Sequence, residues 1–136
     1  MKGYIFRCNS KTKDEVFERM LFGEERDYLQ LVKSITPEDY LFLYNTSTYE
    51  FSGPYKPASG GGEYLVKGAW GDRFPAQIRF EVTKETRTIP FSKLEKMITR
   101  YKKGIFPYME LNKSQILEIL NSRFTSIYTP TLSTSN

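Results

Sequence analysis

Asn9 and Gln77 each carry a donor and an acceptor side by side on one planar amide, a pair that the edge of a nucleobase can answer. Cys8-Asn9-Ser10 is a short polar turn after an apolar run, and Asn45 follows Tyr44 at the end of another. Phe22, Tyr44 and Trp70 stand beside such turns or beside glycines and offer faces on which a flat ring can stack. Arg73 offers a fork for phosphate. An ordinary structural reading competes at each position. Asn9 can satisfy the main chain of its turn, Cys8 can be a small buried residue, and the three aromatics can fill a core. Cys8 is not read as a nucleophile, because the chain contains no histidine to activate it.

A second candidate surface is basic. Lys93, Lys96, Arg100 and Lys103 recur at i, i+3, i+7 and i+10, one outer face of a helix, with Lys102 beside them. From Lys93 to Lys103 five bases outweigh one acid, giving +4, which equals the formal charge of the whole chain. Such a face is either solvated or a contact for nucleic-acid phosphates.

Other chemistry is excluded. Without histidine there is no His-based triad, proton shuttle or His metal ligand, and one cysteine permits neither an intrachain disulfide nor a cysteine zinc site. Asp14, Glu15, Asp39, Asp72 and Glu81 are scattered at spacings that imply no metal and no acid–base pair. Ser59-Gly60-Gly61-Gly62 lacks the Lys-Ser/Thr of a phosphate-cradling loop and opens no helix. The residues therefore point to a binding domain that is not an enzyme and has no cofactor or metal. A lone thiol, no signal-like N-terminal run and no apolar stretch of membrane-spanning length predict a cytoplasmic protein without a membrane partner.

These groups need a scaffold, and the patterning supplies one. Phe74, Ala76, Ile78, Phe80 and Val82 alternate with Gln77, Arg79 and Glu81, which predicts a half-buried central strand, its polar face turned to water or to a planar ligand. Gly3 to Arg7 reads as a first strand. Thr12 and Glu15 form a capping box for a helix with Val16, Phe17, Met20 and Leu21 inward, ended by Gly23 as its C-cap. Tyr28, Leu29, Val32 and Ile35 give a short second helix that stops at Thr36-Pro37. Tyr40 to Tyr44 and Thr48 to Tyr55 form a hairpin, with Tyr49, Phe51 and Tyr55 on one face, and Pro54 and Pro57 call for a free edge or a bulge. Lys84 to Ile89 is expected to pair with the central strand. A capping box at Ser92 and Glu95 opens the basic helix, Phe106 to Leu111 is a last strand, and Asn112 caps a final helix with Ile116, Leu117 and Leu120 buried. The expected division is one domain over 1–121 and a Ser/Thr-rich tail over 122–136.

Four ordered blocks carry a resemblance: Gly3-Tyr4-Ile5-Phe6-Arg7-Cys8-Asn9, Leu21-Phe22-Gly23, Leu41-Phe42-Leu43-Tyr44-Asn45-Thr46-Ser47-Thr48, and Phe74-Pro75-Ala76-Gln77-Ile78-Arg79-Phe80. Together they resemble the DCD (development and cell death) domain, known from plant proteins linked to stress, development and cell death, and the similarity runs from about Gly3 to Leu120. The chain departs at Glu24-Glu25, where the family commonly has Leu-Pro, and at Pro54-Tyr55-Lys56-Pro57. The resemblance implies an α+β fold: a PUA-like mixed, mostly antiparallel β-barrel of five or six strands with about four surrounding helices, distantly similar to YTH domains, which hold a methylated adenine in an aromatic pocket. It implies recognition of RNA or a modified nucleobase between Cys8-Asn9-Ser10, Phe22, Tyr44-Asn45, Trp70, Arg73 and Gln77, with Lys93, Lys96, Arg100, Lys102 and Lys103 on the phosphates. The alternative is a protein-interaction module docking a peptide on the edge strand at Pro54 to Pro57.

Overall fold

Strand Gly3–Cys8 (β1) is apolar at nearly every position because both of its faces are covered. Tyr4, Phe6 and Cys8 point into one core and Ile5 into another. In the computed structural model, which describes residues 1–90 and 110–121, the chain continues as helix Lys13–Arg19 (α1), strand Leu21–Glu24 (β2), a 3-10 turn over Arg26–Tyr28, helix Leu29–Lys33 (α2), and strands Tyr40–Asn45 (β3), Glu50–Pro57 (β4) and Gly62–Glu63 (β5). A 3-10 turn at Ala69–Asp72 leads to the long strand Ala76–Pro90 (β6), followed by strand Glu110–Leu111 (β7) and helix Lys113–Asn121 (α3).

The strands form one curled sheet in the order β2-β6-β4-β3-β1-β7, with β5 also on β6. The β1–β3 pair is parallel and the other pairs are antiparallel. The fold is thus α+β, a curled half-barrel of mostly antiparallel strands with three α-helices among the described residues. Inside the curl, Phe22 stacks on Phe80 at 4.0 Å and on Phe6 at 5.0 Å, and Tyr55 meets Phe80 edge-on at 5.1 Å. Each such fully buried ring contributes roughly 1.5–3 kcal/mol. On the other face Ile5, Phe42, Tyr44, Phe51, Ile89 and Leu111 pack with Ile116 and Ile119 of α3. That helix opens with a reciprocal cap: Gln115 N–H donates to Asn112 Oδ1 and Asn112 N–H to Gln115 Oε1.

Several expectations need correction. Met20, at φ 52°, ends α1, so Gly23 is not a C-cap and Leu21–Glu24 becomes a strand on β6. Thr12 makes no side-chain cap, and Glu15 turns away to accept from the Trp70 N–H. Lys84 to Ile89 continues the central strand instead of returning along it. Strand β4 lies between β3 and β6, so Pro54 sits on no free edge, while the β3 pairing stops at Tyr55, short of Pro57. The bulge alternative holds at Pro54, where a register shift between Gly53 and Tyr55 sends Phe51 and Tyr55 to opposite cores, while Pro57 pairs in register with Phe80. Tyr49 is exposed, as is Leu117, whose expected place inside is taken by Ile119. The basic helix, the first residues of the last strand and the 122–136 tail lie outside the described residues.

Candidate functional site

The curl brings β1 and β2 side by side, but no ladder joins them among the described residues. Strand β7 covers the outer edge of β1 only at Gly3 and Tyr4. On β2, the Phe80 N–H to Met20 C=O bond sets the antiparallel alternation. The main-chain groups of Leu21 and Gly23 therefore point away from β6, toward the gap. Glu24 spans it. Its carboxylate accepts from the Arg7 N–H at 2.9 Å, from Arg7 Nε at 3.2 Å and from Arg7 Nη2 at 2.8 Å. Glu24 is 3% exposed. Its hydrogen bond holds the Arg7 guanidinium more firmly protonated than usual, with burial acting in the opposite direction. Tyr28 packs against the same guanidinium at 5.3 Å.

Above this bridge the gap widens to a cleft of about 210 Å³. Arg7, Cys8 and Asn9 come from the end of β1 and Gly23, Glu24 and Glu25 from β2 and the turn after it, while Thr12, Thr46 and Phe74 complete the rim. Asn9 shapes its turn as the structural reading expects: Oδ1 accepts from the N–H groups of Lys11 at 2.8 Å and Thr12 at 2.9 Å, and its own N–H donates to Thr12 Oγ1. Its Nδ2 has no acceptor among the described residues, and Asn9 lines the cleft. Cys8 lines the cleft with a buried thiol that burial pushes up to about 12, far from a nucleophile's range.

Trp70 supports the cleft from beneath. Its Nε1 donates to the Thr12 carbonyl at 3.0 Å, its N–H donates to the Glu15 carboxylate, and its ring meets Phe74 edge-on at 5.7 Å. Gly23 is required by this packing, because a Cβ there would lie 2.5 Å from the Trp70 ring. Trp70, Gly71 and Asp72 all adopt left-handed φ values of 50°, 62° and 63°. Strain of about 1–2 kcal/mol per non-glycine residue is thereby spent on delivering the indole to α1 and β2.

The structure does not gather the other proposed site residues around this cleft. Ser10 is exposed on the β1–α1 turn and donates its N–H to Ser47 Oγ. Phe22 is sealed between Phe6 and Phe80, and Tyr44 belongs to the opposite core, so neither can cage a ligand. Asn45 accepts from the Ser47 and Thr48 N–H groups within its hairpin and lines a separate cleft of about 50 Å³ beside Lys13. Arg73 is exposed, its guanidinium 5.3 Å from the Phe74 ring centre. Gln77 is fully buried: Oε1 accepts from the Val66 N–H at 2.8 Å and Nε2 donates to the Phe74 carbonyl at 3.0 Å, which clamps the 64–74 loop. Residues Lys93, Lys96, Arg100, Lys102 and Lys103 lie outside the described residues. Gly23 reads in the sequence as a helix C-cap and Glu24-Glu25 as a departure from the family pattern, not as the wall of a cleft. The available signal was an acidic residue set directly after the apolar Leu21-Phe22-Gly23.

Among the described residues no cluster of His, Cys, Asp or Glu could hold a metal ion. No helix among them is long and apolar enough to cross a membrane.

The half-barrel is a YTH-like fold. It superposes on the Mmi1 YTH domain with a TM-score of 0.69 at 12% identity, covering 88% of this chain and 92% of that one. It matches the Pho92 YTH domain, solved in complex with m6A, with a TM-score of 0.67 at 13% identity, covering 92% and 89%. At these identities the likeness concerns fold alone. The chain itself belongs to the Development and cell death domain family, which matches residues 2–122. It is 36% identical over 126 residues to the DCD domain-containing protein NRP-B of Glycine max and to the B2 protein of Daucus carota. Each alignment covers 88% of this chain, but only 38% and 60% of those relatives' lengths.

Proposed function

We propose that this chain is a non-catalytic binding domain and that the cleft between β1 and β2 receives one flat base of an RNA strand, a modified base included. The observation that carries the reading is a cleft lined by Asn9, whose Nδ2 donor is unused among the described residues, and by the aromatic Phe74. A base presents a π face to the ring and an acceptor to the amide. The volume of about 210 Å³ lies below the roughly 300–1,000 Å³ of drug-sized sites and suits a single heterocycle. Arg7 is neutralised by Glu24, which leaves the Glu25 carboxylate to accept from an exocyclic amine and makes the cleft itself a poor seat for phosphate. Solved relatives in fold include a Mmi1 YTH domain complex with RNA, which favours an RNA strand as the source of the base. The phosphates are assigned to Lys93, Lys96, Arg100, Lys102 and Lys103, and the folded unit to 1–121.

The test is calorimetric titration with free ribonucleosides and short single-stranded RNA. Asn9→Asp keeps the Oδ1 acceptor that the turn needs and replaces the donor. It should leave the Tm unchanged and weaken nucleoside binding roughly tenfold, the value of one hydrogen bond near 1.4 kcal/mol. Equal affinity in N9D, or no binding by the wild type, overturns the reading.

A further inference from the structure

Two turns meet at the rim of the seam cleft. The Thr46 N–H and Oγ1–H both donate to the Cys8 carbonyl, at 2.8 and 3.2 Å, and the Ser10 N–H donates to Ser47 Oγ at 3.0 Å. The β1–α1 turn and the β3–β4 turn are thereby one continuous ledge, and Asn9, Thr12 and Thr46 on it line the cleft. Two exposed residues of this ledge stand out. Tyr49 is 62% exposed, more than any other large apolar side chain among the described residues, and holds φ 60°, a conformation that favours glycine. A tyrosine kept there bears backbone strain while most of its surface meets solvent. Lys11 is exposed, and its ammonium has no partner among the described residues.

We infer that an RNA strand with one base seated in the seam cleft continues across this ledge, with Tyr49 stacking on the neighbouring base and Lys11 meeting a phosphate beside it. The inference rests on the proposed seating of a base in the cleft. An exposed aromatic and an exposed cation on two turns joined into one ledge suit a single strand in particular, since every base has a π face and every linkage a charge. A hairpin tip can hold such a ring outward only if the backbone turns under it, which is what the left-handed Tyr49 does.

Tyr49→Gly, Tyr49→Phe and Lys11→Gln decide the matter, each titrated with free ribonucleosides and with short single-stranded RNA of mixed sequence. Y49G relieves the left-handed strain, so its Tm should not fall, while RNA affinity should drop roughly tenfold or more. Y49F keeps the ring and should bind as the wild type does. K11Q should lower the slope of log affinity against log salt by about 0.7. Nucleoside affinity should be the same in all variants. If nucleosides bind and RNA affinity is indifferent to Y49G and K11Q, the ledge has no part in binding and this inference alone fails. If neither nucleoside nor RNA binds the wild type, the cleft reading fails and takes the ledge with it.

Discussion

Arg7 and Glu24 meet through three hydrogen bonds across strands that share no ladder. The pair does the work of a missing β-bridge, because the Arg7 N–H that would have entered a ladder is satisfied by a carboxylate. The two partners are unequally buried, with Glu24 side-chain exposure at 4% and Arg7 at 31%. Replacing Arg7 by Met strands a charge in the interior, whereas replacing Glu24 by Gln leaves a guanidinium that can swing into water. We expect R7M to cost about 3 kcal/mol and E24Q about 1 kcal/mol, at or below the range for breaking fully buried pairs. Urea unfolding of both variants checks the ordering, and equal losses would show that the bridge is solvated.

Gln77 holds the 64–74 loop at both ends. Gln77→Leu leaves the half-buried Val66 N–H and Phe74 carbonyl without partners. The expected loss is about 1–2 kcal/mol. Amide exchange at Val66 should accelerate more than exchange in β1, since the loop would open before the sheet does.

Two neighbouring glycines give a sharp contrast. A Cβ at Gly61 would lie 2.2 Å from the Val32 carbonyl oxygen, whereas one at Gly60 meets nothing within 4 Å. Gly61→Ala should destabilise by about 3 kcal/mol because main chain must move, and Gly60→Ala should stay within about 0.5 kcal/mol. Thermal unfolding of the two variants side by side is sufficient.

The Cys8 thiol titrates at about 12 in the fold, against about 8.5 in an unfolded chain. Above pH 8.5 the unfolded state loses this proton while the native state keeps it, so stability is full below that pH and falls as pH rises toward 12, by up to about 1.4 kcal/mol per unit. Cys8→Ala should flatten this part of the curve relative to the wild type. Maleimide labelling at pH 8 should be slow in native protein and fast in urea. Equal curves, or rapid native labelling, would contradict the buried thiol.

Local periodicity carried much of the architecture. The alternation from Phe74 to Val82 and the apolar runs at β1 and β3 located strands where strands are found. What failed was any inference needing a partner distant in sequence. Gln77 alternates like a solvent-facing residue, and its burial depends on a loop folded over that face. Glu24 reads as part of a charged link until Arg7, 17 residues earlier, is placed beside it. Glu15 has the spacing of a capping box, yet its carboxylate is claimed by Trp70, 55 residues on. The candidate site was legible at Asn9 and invisible on its β2 wall.

The parallel pairing of β1 with β3, and the seating of β7 on its other side, bear on how the chain acquires its shape during synthesis. The first strand leaves the ribosome long before Tyr40–Asn45, and longer still before Glu110–Leu111. Phe6 can pack early on Phe22 of β2, but the main chain of β1 meets its parallel strand partner only when Tyr40–Asn45 emerges, so the nascent chain has a period of exposure to chaperones and to self-association in that interval.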